Sequence, residues 1–366
     1  MTFLSDLWDL LNSPADEALE KIYHTPSKQW VAQFAPPSTT NLPTVKQSEI
    51  VPRKHYITVT AQKTVLPYDR VLFKTFYGAV HSTIIVRDEV GEPRSLSTFA
   101  SLDPGLTAID KRAGEKMVQG PRTLLEFAPF QGTQMASTIA LLAVEAVDYA
   151  KPLLSTLQKI SNVAGGTFFS AAAPLAEPLI SGIQALTEVA GGTGTQIVYA
   201  GNLPRNTGIF LVAATDASGF SWTNYGFSSD YTLLEGGVPV NRFAYMVLTI
   251  EVAEERPNWM QIPGIRDAES ALDRAVRAAG RKIADPKSDE FAKVQDALAA
   301  CVWECTNNPD LCEADGDRCA DLISAKIESY IQRYSKNLKP FAIDRAYGDI
   351  PTDGFSLQDI ELFPRP

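Results

Sequence analysis

The residues best placed to do chemistry are four cysteines. Cys301, Cys305, Cys312 and Cys319 fall within nineteen residues, and the chain has no others. Cys301 and Cys305 stand four apart, which puts them on one face of a helix. The TNNPD stretch that follows is turn chemistry, so the segment reads as a helical hairpin. Folding it back brings the pairs together in nested order, Cys305 with Cys312 and Cys301 with Cys319. Two disulfides of that kind would staple the hairpin and imply an oxidising compartment; buried free thiols are the alternative. C-x3-C-x6-C-x6-C is not the knuckle spacing that a zinc tetrahedron uses, so no metal is expected.

The same loop carries Asp310, Glu313, Asp315 and Asp317. A calcium loop needs glycine at its sixth position and a glutamate at its twelfth. Gly316 falls between the last two acids, with no glutamate in register, so the loop reads as a solvated acidic turn.

Histidine is scarce: His24, His55 and His81. His55 and His81 open strand-like runs, where a lone histidine is structural more often than basic. The best serine context is TDASGFSW, with Asp216 and Ser218, but D-A-S-G between strands is first of all a turn. HExxH, GxSxG and CxxC are absent. AGGTGT at 190–195 resembles a phosphate loop, yet its order is helix, glycines, strand, and phosphate needs a helix N-terminus after the glycines. These readings point away from catalysis and imply no cofactor. A hydrolase pairing Ser218 with His81 is the weakest alternative.

The element that stands out is written twice. AKPLLSTLQKISNVAGGT, from Ala150, and AEPLISGIQALTEVAGGT, from Ala176, are identical at ten of eighteen positions. Pro152 and Pro178 sit in the first turn, where proline is tolerated, and Gly165 and Gly191 suit a left-handed C-terminal cap. Each copy carries an apolar stripe at helical spacing. Leu153, Leu157 and Ile160 belong to the first copy, and Leu179, Ile183 and Leu186 to the second. Phe168 and Phe169 lie in the joint. Residues 134–193 hold six charges in sixty, so this hairpin is expected as sheet-covering core, as an interface, or as a membrane-seeking element.

Around it the period is two. HYITVTAQ, VLFKTFYGAV, HSTIIVRD and TLLEFAPF precede the hairpin; TQIVYA, GIFLVAA, FSWTNY, YTLLEG and NRFAYMVLTIEVA follow it. Residues 106–120 suggest a short helix, and Met135–Tyr149 the start of the helical block. The fold class expected is α+β: a mostly antiparallel β-sandwich over 53–255, interrupted by a duplicated α-helical hairpin at 134–193. The rest divides into an N-terminal helical segment (1–33), a proline-rich linker (34–52), a helical region with the cysteine hairpin (263–338) and an extended tail (339–366).

Thirty-three basic against forty-three acidic residues give a net charge of −10, which repels nucleic-acid phosphates; the densest basic run, Arg274–Lys282, reads as one solvated helix face. FLSDLWDLLN near the N-terminus has acids inside its apolar run, unlike a secretory signal, so a cytoplasmic location is expected, with export by another route if disulfides form. The reading as a whole is a non-catalytic interaction or assembly protein. It would use its helices and tails to bind a protein partner or a second copy. A membrane-active effector that inserts its hairpin is the alternative.

Overall fold

The computed structural model describes residues 31–37, 42, 47–67, 75–87, 93–101, 109–110, 116–132, 135–145, 150–165, 168, 173–176, 178–179, 181 and 194–337. The chain is α+β and divides into two compact units, Met1–Glu255 and Arg256–Pro366.

The first unit is built from antiparallel pairs. Its larger sheet runs β1 (Val31–Phe34), β10 (Gly208–Ala213), β14 (Tyr245–Ala253), β2 (Tyr56–Pro67), β6 (Lys116–Gln119), with β7 (Arg122–Pro129) also on β2. The second runs β4 (Pro93–Ser101), β3 (Thr75–Arg87), β8 (Met135–Glu145), β9 (Gly194–Leu203), with β5 (Ile109–Asp110) on β3. A third, small sheet joins β11 (Tyr225–Phe227), β12 (Leu233–Glu235) and β13 (Val238–Pro239). Gly236 and Gly237, both at positive φ, form the two-residue turn between β12 and β13. That geometry suits the right-handed twist of paired strands and is open to glycine.

Alternation places the core. Ile209, Leu211 and Ala213 of β10 and Tyr245 and Val247 of β14 share a cluster with Val31, Phe220, Tyr225, Phe227 and Leu233. The rings of Phe220 and Tyr225 stack at 4.3 Å. Their neighbours in sequence, Phe210 and Val212 on β10 and Met246 and Leu248 on β14, are buried as well, as is Ile250. Both faces of these central strands are therefore dry, and each such side chain contributes about 1.5–3 kcal/mol through burial.

After β8 comes α1 (Ala150–Gly165), the first copy of the repeat. It packs on β4 and β7, with Leu154 and Leu157 fully buried. Of the second copy, Ala176, Pro178, Leu179 and Ser181 are helical, and Leu179 is buried. Ile183 and Leu186 lie outside the described residues, as do Phe169 and the segments 1–30 and 338–366.

The second unit is helical: α2 (Pro263–Ala279), α3 (Asp289–Asn307) and α4 (Glu313–Asn337). Pro263 opens α2 at its first turn, and the Ser288 hydroxyl caps α3 by accepting from the Phe291 N–H. The α3–α4 turn closes within five residues, as the TNNPD stretch implies. Gly316 lets the helices approach: a Cβ there would sit 2.7 Å from the Cys305 carbonyl oxygen.

Several elements differ from expectation. Met135–Glu145 is not helix but the central strand β8, paired on both sides. A strand buried on both faces loses the period of two and reads like a helix. In place of the short helix at 106–120 stand β5 and β6. The strand β4 occupies a stretch that looks irregular in sequence, and β1 one that looks helical. FSWTNY is mostly turn, with β11 starting at Tyr225.

Candidate functional site

The only histidine in the interior of a described sheet is His81, at the middle of β3. It is 1 % exposed, and Ser97 beside it likewise. His81 Nε2 lies 2.8 Å from Ser97 Oγ and 3.3 Å from Thr83 Oγ1, and the two hydroxyls are 3.1 Å apart. The register causes this: Thr83 faces Ser97 across β3 and β4, with His81 opposite Phe99. Ser82 and Thr98 form a second hydroxyl pair at 2.9 Å.

A serine–histidine pair at this distance has the geometry of a nucleophile and its base. Two features mark it as part of the sheet's interior. A base needs a third group to orient it, and His81 Nδ1 has no hydrogen-bond partner among the described residues. Burial also drives the imidazole pKa down to about 4, so the ring is neutral at pH 7. Ser218, the serine that sequence paired with His81, is elsewhere: it lies in the turn Ala217–Gly219, its N–H donating to Asp216 Oδ1 at 2.8 Å. His55 serves its own turn, its Nδ1 accepting from the Val51 N–H at 3.0 Å.

Phe99, the register partner of His81, does touch a helix. Phe99 sits on the outer strand of its sheet with N–H and C=O pointing outward. Its N–H donates to Ser161 Oγ of α1 at 2.7 Å, and its carbonyl accepts from Arg122 Nη2 of β7 at 3.4 Å. The α1 helix therefore closes an edge that would otherwise offer unpaired backbone.

In the helical unit all four cysteines are buried free thiols; neither disulfide of the nested pattern is present. Cys301 and Cys305 share the buried face of α3, as the spacing requires, and hydrogen-bond to each other. That bond, with burial adding to it, pushes the Cys305 thiol far above its ordinary range. The acidic loop also corrects the sequence reading, since it is only partly solvated. Asp310 and Asp315 are buried, while Glu313 and Asp317 are exposed. Arg256, itself 2 % exposed, donates from its backbone N–H to Asp315 Oδ2 at 2.9 Å and from Nη1 to the Asp310 carbonyl at 3.0 Å. Arg318 Nε holds the other Asp315 oxygen at 2.8 Å. The pairing spans more than fifty residues of sequence, so no local pattern announces it.

No group of three or more His, Cys, Asp or Glu among the described residues could hold a metal. No helix among them is long and apolar enough to cross a membrane. Of the stripe expected to face a membrane or an interface, Leu157 and Leu179 are buried and Leu153, Ile160 and Phe168 half-buried. Among the described residues the large apolar side chains that face solvent are Val51, Val238, Met260 and Trp303; Trp303, the one aromatic among them, is 63 % exposed on α3. Ala292, Asp296, Ala299, Ala300 and Asn307 share its face, opposite the buried Val294, Cys301 and Cys305. Compared with known proteins, the chain matches no family model and no curated protein.

Proposed function

We propose that this is a non-catalytic interaction or assembly protein whose contact surface is the outer face of α3. The observation that carries the reading is Trp303. A tryptophan left 63 % exposed among alanines on an ordered helix is what an interface anchor looks like before it is covered. The polar groups with catalytic spacing support the same reading, because they are consumed inside the core.

A second copy of the chain fits this face. Pairing two α3 helices antiparallel about Ala299 and Ala300 sets Trp303 against the partner's Asp296. An indole N–H donor then meets a carboxylate acceptor, and the alanines let the backbones close in. The four positions are all exposed. Sedimentation of the wild type beside Trp303→Glu tests this: the wild type associates with rising concentration and the variant stays monomeric.

The first unit, taken by itself, is read as a sandwich. The chain passes between the two larger sheets from β2 to β3, β5 to β6, β7 to β8 and β9 to β10, a traffic that supports stacked sheets. The repeated helices are then an insertion between β8 and β9.

A further inference from the structure

His81 and the α1 contact meet at one point. His81 on β3 faces Phe99 on β4, and Phe99 is the residue whose outward N–H holds Ser161 of α1. We propose that His81 is an acid-sensitive latch: when it takes a proton, the β3–β4 pairing loosens and α1 leaves the β4 edge, uncovering the apolar stripe of Leu154 and Leu157.

The geometry makes the charged ring untenable in place. An imidazolium has two N–H donors. Nε2 has the Ser97 and Thr83 hydroxyls, while Nδ1 faces no acceptor among the described residues. Nothing described nearby compensates the charge. From β4 come Ser97 and Phe99 and from β8 Thr138, all buried, with Ala140 of β8 the register partner of His81; none is titratable. From β7 comes Arg122, a cation already bound to the Phe99 carbonyl, and the Glu126 of that strand is exposed. From α1 comes Ser161, with Lys159 exposed. A proton on His81 thus adds a second positive charge one strand from Arg122, with no carboxylate among the described residues to meet it. Burial alone already holds the ring near 4, against an ordinary value of 6.5.

The sign follows from linkage. The open form binds the proton at the ordinary value and the closed form only near 4, so opening is favoured as pH falls through that window. Between pH 7 and pH 5 the opening equilibrium rises roughly twentyfold.

Hydrogen exchange on the full chain, corrected for intrinsic rates, reads this at segments 93–101 and 150–165. The expected result is a loss of protection on the order of twentyfold between pH 7 and pH 5 in both segments. It should be abolished in His81→Gln, which keeps a hydrogen-bonding side chain but cannot take the charge. Ser161→Ala should lower protection of the Phe99 amide at both pH values. Equal protection of the wild type at the two pH values, or the same acid loss in His81→Gln, overturns the latch. If His81→Gln does not fold, the wild-type imidazole titration by NMR decides: a midpoint well below the ordinary one sustains the proposal, and a midpoint near 6.5 rejects it.

Discussion

Arg256 Nη1 lies 3.8 Å from Asp310 Oδ1, with the two side chains only 3 % and 0 % exposed. Two opposite charges taken out of water stay together because neither can be left alone: removing one partner of such a pair costs about 3–5 kcal/mol. Arg256→Met is therefore expected to destabilise the helical unit by about that amount. Urea unfolding followed by helical circular dichroism measures it. Arg256→Met with Asp310→Leu should recover part of the loss, since the double change removes the orphaned charge.

Gly316 and Gly219 make a contrasting pair. In an open helix, glycine to alanine gains up to about 1 kcal/mol. At Gly316 the new Cβ would meet the Cys305 carbonyl oxygen at 2.7 Å, a backbone atom that cannot swing away. The clash outweighs the propensity gain, so Gly316→Ala should destabilise by roughly 1–3 kcal/mol. A Cβ added at Gly219 would have nothing within 4 Å, and Gly219→Ala should leave thermal unfolding nearly unchanged.

The cysteines give a chemical prediction. All four are buried as free thiols, so none should react with a thiol reagent in the native protein and all four should react after unfolding without reductant. Fewer than four in the unfolded chain would mean that a disulfide forms after all.

How much of this was legible in the sequence depends on how local each cause is. The cysteine hairpin, α1, the glycine turn at 236–237 and the strands β2, β3, β7, β9, β10, β12 and β14 follow from short-range periods and turn residues. The strand β8 does not, because Met135 to Ile139 are all buried, on both faces of the strand, which erases the alternation that would mark it. The His81–Ser97 node depends on a register between two strands, and the Arg256 network on a contact fifty-four residues long. Spacing could put Cys301 and Cys305 on one face but could not decide their oxidation. Trp303 was visible only as one apolar residue in a helix; that it points outward depends on which face α2 and α4 cover.

Stability should also carry the mark of His81. Its folded value is depressed to about 4, so the unfolded chain binds more protons between there and 6.5, and stability falls as pH drops through that window. The full loss, reached below pH 4, is roughly 3 kcal/mol from this one group. Denaturation midpoints measured from neutral to acid pH should fall more steeply in the wild type than in His81→Gln.

The most direct test of the proposed role is sedimentation equilibrium of wild type and Trp303→Glu across a wide concentration range, with thermal unfolding of both to establish that the exchange leaves the fold intact. The account predicts that the wild type self-associates and that Trp303→Glu, equally stable, remains monomeric. A wild type that stays monomeric throughout, or a variant that associates as the wild type does, would contradict it.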